Sequence, residues 1–191
     1  MKLIGSTTSP FVRRTRLLLA DTAYEFVNLD IYGAGRDELR RNNPALKIPV
    51  LIDGEQEVYD SRVIARYLAH KLGHAALTWD QENQLTLIDA ASDSAVILLL
   101  SKRSGLDVEQ DAMFYNLQRE RIMTTLRTLS AMVDAGEFAD WQYPSICLYT
   151  LVDWLDFRSL VDFNGVESLL SFRDHYQSEP GIADTDPRQP Q

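Results

Sequence analysis

Three short stretches in the first 75 residues carry side chains that could bind and activate a small ligand: Ser9-Pro10, Lys47-Ile48-Pro49 and Tyr59-Asp60-Ser61. In SPFVRRTRLLLADT, Ser9 stands where a helix N-cap is expected, and Pro10 suits the first helical position. A hydroxyl there sits beside backbone N–H groups and the positive end of the helix dipole. A thiolate placed opposite it would be stabilised by that field and by a hydrogen bond from the hydroxyl. An ordinary thiol titrates at about 8.5, so a drop of about 2 units takes roughly 2.7 kcal/mol. One charge-assisted hydrogen bond supplies about 1.5–3 kcal/mol of this. A proline opening a strand, as Pro49 does, can be cis and leave the N–H and C=O of the residue before it open. An extended peptide could then pair with the Ile48 backbone as an added strand. Asp60 and Ser61 precede another helix, whose N–H groups and Ser61 hydroxyl could receive a ligand carboxylate. Taken alone, Ser9 and the Asp60-Ser61 pair read first as helix caps.

The elements that must position these residues follow from periodicity. Lys2–Gly5 predicts a short strand, and Phe11, Val12, Thr15, Leu18 and Leu19 recur at helical spacing. Tyr24–Asp30 alternates as a strand, and Arg36–Asn43 is a short helix before Pro44. Strands over Pro49–Ile52 and Glu57–Tyr59 flank an Asp53-Gly54 turn. A helix with Val63, Ile64, Tyr67, Leu68 and Leu72 on one side follows, ending at Gly73. The order β-α-β, α, β-hairpin, α implies a parallel pair with a right-handed crossover, plus antiparallel strands. After a linker at Ala75–Asp80 the signals are helical: Gln81–Arg103, Val108–Ala135, a nearly all-apolar Ile146–Leu155, and Val166–Tyr176. The fold class is therefore an α/β domain over 1–75 and an all-α domain over 81–178. Residues 179–191 hold three prolines and few apolar residues, and are expected to be a flexible tail.

Charge narrows the partners. The net formal charge of −9 argues against nucleic acid. Residues 1–75 hold 11 Lys and Arg against 9 Asp and Glu, whereas the rest hold 8 against 19, so an anionic ligand is better hosted by the first half. The single Cys147 excludes an internal disulfide, a CxxC pair and a cysteine-based zinc site. His70 and His74 sit four apart without a third ligand nearby, so no metal is expected. No run of 18 apolar residues and no signal peptide is seen, which points to a cytoplasmic protein without a membrane partner.

SPFVRR resembles the S/C-P-F/Y-x-x-R start of the first helix in glutathione transferases, notably the tau-like and omega-like classes. KIPVLIDG looks like the K-[IV]-P-V-L strand of that family with its cis-proline, and YDSRVIARYL like its E-S-x-x-I-x-x-Y-L segment. The three occur in the family's order and at about its spacing over the first 75 residues. The resemblance implies a thioredoxin-like N-terminal domain, an all-helical C-terminal domain, glutathione as co-substrate and a homodimer. By position it implies that Ser9 contacts the glutathione sulfur and Ile48 pairs with the cysteinyl backbone beside a cis Pro49. Asp60 and Ser61 would then bind the γ-glutamyl end, and Lys47 would reach toward the glycyl carboxylate. Asp60 stands where Glu is commoner, one methylene shorter. No cysteine occupies position 9, which disfavours thiol–disulfide exchange. Ser145 is followed by Leu148 where the family's S/T-x-x-D cap would place Asp.

Two functions fit. In one, the glutathione thiolate is conjugated to a small hydrophobic electrophile or reduces a peroxide. In the other, the same scaffold is a non-catalytic binding or regulatory protein whose acidic helical half is the working surface.

Overall fold

The computed structural model describes residues 1–189. It divides into two compact units, Met1–Ala76 joined by the segment from Ser178 onward, and Leu77–Gln177.

The first unit is a four-stranded mixed sheet in the order β2-β1-β3-β4, with β1 Lys2–Gly5, β2 Glu25–Asn28, β3 Val50–Asp53 and β4 Gln56–Tyr59. β1 and β2 are parallel, as the β-α-β reading requires, and β3 runs antiparallel to both β1 and β4. Helices α1 Pro10–Leu18, α2 Arg36–Asn42 and α3 Ser61–Leu72 connect them. Because neighbouring strand residues point to opposite faces, the sheet builds two apolar layers. Leu3 and Leu51 pack with Leu19, Ile64 and Leu68 under α1 and α3. Ile4 and Val50 pack with Leu29 and Leu39 on the α2 side. Gly5 lets β1 meet α1 closely: a Cβ there would lie 2.4 Å from Val12 Cγ2.

The second unit is helical: α4 Trp79–Arg103, α5 Met113–Asp134, α6 Tyr143–Phe157 and α7 Ser168–His175. Thr78 and Gln81 form a reciprocal capping box that starts α4 two residues before the sequence reading. By length and composition α4 could cross a membrane, with mean hydropathy 1.3 over its most apolar window. It packs instead as a core helix, burying Leu85, Ile88, Ala91, Ala95 and Leu98. Tyr143 through Leu155 of α6 are all buried, Thr150 and Asp153 included, in keeping with the burial expected for the nearly all-apolar Ile146–Leu155. The helix begins earlier than expected, with Gln142 as N-cap, so Ser145 lies within the first turn and donates to the Asp140 carbonyl at 2.6 Å.

The end of the chain differs from the sequence reading. Residues 178–189 are not a loose tail: a 3-10 turn, Ala183–Thr185, packs on α1 with Ile182 and Thr185 buried. Their polar, proline-containing sequence has no periodicity because their partners lie on α1, far away in sequence. Residues 190 and 191 of the expected tail lie outside the described residues.

Candidate functional site

The strand register gathers the three candidate stretches. Ile4 pairs with Val50, Val50 with Tyr59, and Gly5 with Asn28. The loop after Gly5, the segment entering β3 and the residues leaving β4 therefore sit at one end of the sheet.

Ser9 is the N-cap of α1 in extended conformation, with Pro10 at the first helical position. Its Oγ accepts from the Val12 N–H at 3.4 Å, and its own N–H donates to the Ser6 carbonyl at 3.1 Å. A hydroxyl that accepts from the helix keeps its proton to donate, and among the described residues no acceptor takes that proton. The loop before it is braced by Asn28, whose Oδ1 accepts from the Thr7 N–H at 3.3 Å.

The Ile48–Pro49 peptide bond is cis. Pro49 is buried, Ile48 half-buried and Lys47 exposed. The sheet begins at Val50, so the Ile48 backbone lies outside its ladder. Asn43, 1% exposed, holds this entry: its Nδ2 donates to the Lys47 carbonyl at 2.7 Å, and its Oδ1 accepts from the Ala45 N–H at 2.9 Å. Among the described residues no hydrogen bond or ion pair fixes where the Lys47 ammonium points.

Asp60 caps α3, its Oδ1 accepting from the N–H groups of Arg62 at 2.8 Å and Val63 at 3.3 Å. Its φ of 70° lies on the left-handed side, a conformation that costs a non-glycine residue about 1–3 kcal/mol and concentrates at functional sites. The Asp60 carboxylate is exposed. Ser61 is turned inward, 2% exposed, with Oγ accepting from Arg14 Nε at 2.9 Å and Nη2 at 2.5 Å. Arg14 is itself buried and lies 4.8 Å over the Phe11 ring. The cap thus occupies two of the α3 N–H groups that the sequence reading offered to a ligand, and the Ser61 hydroxyl is engaged from behind by α1.

Asn43, Arg14 and Asn28 are absent from the sequence-derived set. The Asn43-Pro44 pair is a turn-initiating signal that could have singled out Asn43. Nothing in the spacing points to the Arg14–Ser61 or Asn28–Thr7 contacts. His70 and His74 are exposed, and among the described residues no three His, Cys, Asp or Glu side chains gather as a metal ion would require. A cavity of about 610 Å³ is lined by the helical unit, including Phe138, Phe172 and Tyr176, and contains none of these groups.

Residues 3–75 match the family described as "Glutathione S-transferase, N-terminal domain". The chain is 32% identical over 171 residues to the uncharacterised GST-like protein YibF of Escherichia coli K12, covering 83% of each. It is 38% identical over 71 residues to glutathione S-transferase U17 of Arabidopsis thaliana, covering 36% of this chain and 31% of the plant protein. The fold is that of a glutathione transferase family member from Pseudomonas fluorescens Pf-5 solved with bound glutathione: TM-score 0.81 and 24% identity over 98% of this chain and 99% of that one. A glutathione S-transferase of Methylobacillus flagellatus KT, also with glutathione bound, gives a TM-score of 0.83 and 23% identity over 96% and 98%. The chain belongs to the glutathione S-transferase family, with a thioredoxin-like N-terminal domain and a helical C-terminal domain.

Proposed function

We propose that this protein binds glutathione at the shared end of its sheet and presents it as a thiolate to small hydrophobic electrophiles. The observation that carries the reading is Ser9: a capping hydroxyl that accepts from α1 and retains its proton at the positive end of that helix. Its O–H would donate to the sulfur and lower the thiol's pKa. Ile48 would pair with the cysteinyl backbone, Asp60 would attract the γ-glutamyl ammonium, and Lys47 would meet the glycyl carboxylate. Ser61 would contribute to the γ-glutamyl end through the turn it holds rather than through a side chain standing in solvent. The relatives solved with glutathione support the choice of ligand.

In the reaction, the thiolate electron pair forms a C–S bond at the electrophilic carbon, and the leaving group departs with the pair of the broken bond. With an organic peroxide, sulfur instead attacks the terminal oxygen, the O–O bond breaks and the alcohol leaves; a second glutathione thiol then attacks the resulting sulfenic acid, closing the disulfide and releasing water. Catalysis is thiol activation plus proximity. No metal takes part in this reading.

The test is turnover of an aryl halide and of an organic peroxide by wild type and Ser9→Ala. Retained glutathione binding in Ser9→Ala with turnover reduced about tenfold or more at neutral pH supports the role of Ser9; the figure follows from one charge-assisted hydrogen bond. Glutathione binding by wild type without turnover of either substrate would instead favour the non-catalytic reading. We also read the chain as a homodimer acting in the cytoplasm, a compartment in which glutathione keeps thiols reduced. The exposed apolar side chains Leu106, Met113, Phe114 and Leu117 support a subunit contact, and a monomer by sedimentation at micromolar concentration would remove it.

A further inference from the structure

We propose that Arg13, gripped by the chain's C-terminal strap at Gly181–Thr185, is a positioning residue for Ser9. The role in catalysis rests on the reading of Ser9 given above; the grip itself does not. α1 is nine residues long, too short to hold its place by intrinsic helicity. One side of it packs on the sheet and α3. The strap meets Arg13, Arg16 and Leu17, which lie on one side of the helix at spacings of three and four from Arg13, and Ala20 in the turn that follows it.

Arg13 is the central contact. Its N–H closes the first turn on the Ser9 carbonyl at 3.0 Å, so the two residues move together. Arg13 is 4% exposed, and its guanidinium donates from Nε to Thr185 Oγ1 at 3.2 Å and from Nη2 to the Ile182 carbonyl at 3.3 Å. A buried guanidinium is tolerated only where acceptors meet it, and these two come from the other end of the chain. Arg16 adds a bond from Nη2 to the Asp184 carbonyl at 3.3 Å.

The strap is shaped for this. Thr185 donates its N–H to the Gly181 carbonyl at 3.0 Å and its hydroxyl to the same carbonyl at 2.8 Å. The Thr185 proton is thereby turned away from Arg13, leaving oxygen lone pairs to accept. Gly181 has φ +80°, and a Cβ on it would stand 3.1 Å from Ala20 Cβ. Both the backbone conformation and the approach to α1 call for glycine. A helix start carried by a short, two-sided element is sensitive to small shifts, and misplacement by about 1 Å is enough to lower a rate about a hundredfold.

The experiment uses the full-length protein with Thr185→Val, Gly181→Ala and Thr185→Ser. Hydrogen exchange of free protein reads the grip. Val12–Leu17 amides should exchange about tenfold faster or more in the first two variants, with α4–α6 unchanged, and return to wild-type rates in Thr185→Ser. The ultraviolet thiolate absorbance of bound glutathione reads the positioning. The thiol's apparent pKa should rise in Thr185→Val and recover in Thr185→Ser. Unchanged exchange in α1, or faster exchange spread evenly over the chain, overturns the grip. Faster exchange in α1 with an unmoved thiol pKa overturns the positioning role. Failure of the wild type to bind glutathione overturns the reading of Ser9 and with it the catalytic role of Arg13, and the exchange result then decides the grip alone.

Discussion

Arg14 donates from both Nε and Nη2 to the buried Oγ of Ser61, so the first helix holds the start of the third through one oxygen atom. Hydrogen bonds to a charged donor contribute about 1.5–3 kcal/mol, and a buried donor stripped of its acceptor costs as much or more. Ser61→Ala should therefore destabilise the protein by about 2 kcal/mol, read as a lower urea midpoint with unchanged slope. Arg14→Met should cost less in the Ser61→Ala background than in wild type, because the bond it breaks is already gone. Strictly additive losses in this cycle would mean that the two side chains are not coupled.

Asn43 makes a sharper test, since its two ends do different work. The amide nitrogen donates to the Lys47 carbonyl, and the oxygen accepts from the Ala45 N–H. Asn43→Ala loses both and should cost about 2–3 kcal/mol, with weaker glutathione binding through a loosened Lys47–Pro49 entry. Asn43→Asp keeps the acceptor but sets a buried carboxylate against a carbonyl. It should be at least as damaging at neutral pH and recover as the solution is acidified, because a protonated Asp can donate again. Unfolding measured at two pH values decides this; equal loss at both would show that the donor is irrelevant.

These two residues mark the limit of what the sequence discloses. Local signals carried the elements around them: Ser9-Pro10 began a helix, Asp53-Gly54 turned a hairpin, and Gly73 closed α3 as its left-handed cap. Each depends on neighbours within about four positions, where side-chain and backbone chemistry is readable. The bond from Arg14 to Ser61 spans 47 positions and that from Arg13 to Thr185 spans 172, and nothing local encodes either. The same distance explains why residues 178–189 read as a tail. Their burial is created by α1, not by their own pattern.

Asp53 ties the end of β3 to α3, accepting from the Tyr67 hydroxyl at 2.7 Å and from the Lys71 ammonium. The Lys71 and Tyr67 hydrogen bonds hold the Asp53 carboxyl below its ordinary range, outweighing its desolvation. The hydrogen bond to Asp53 holds Lys71 above its own range. A depressed carboxylate stabilises the fold above its unfolded value, about 3.9, and loses that contribution as pH falls through the folded value. A raised ammonium stabilises below about 10.4 and loses its share as pH climbs through its folded value. The cluster should therefore support the fold across the interval between, and Asp53→Asn should flatten both flanks of the stability–pH curve. The flanks are read by thermal unfolding from acid to alkaline pH. The effect is modest because the pair is partly exposed and screened, and high salt should shrink it.

Asp60 separates backbone strain, capping and charge within one side chain. It caps two N–H groups of α3 while sitting at φ +70°. Asp60→Ala loses the cap and keeps the strained backbone, so it should cost about 1 kcal/mol. Asp60→Gly also loses the side-chain cap but adopts a positive φ without penalty, so it should be more stable than the alanine variant by about 1 kcal/mol. Asp60→Asn keeps a capping oxygen and tolerates the same φ, so its stability should stay within about 0.5 kcal/mol of wild type. What asparagine lacks is the charge offered to a ligand ammonium. Because the carboxylate is exposed, that attraction is worth about 0.2–1 kcal/mol, and glutathione affinity should fall no more than about fivefold. Titration calorimetry on the asparagine variant isolates this quantity from folding. A loss of a hundredfold would mean that Asp60 is enclosed in the bound state and that the site closes around the γ-glutamyl end. No loss at all would remove Asp60 from ammonium recognition and leave it as a cap.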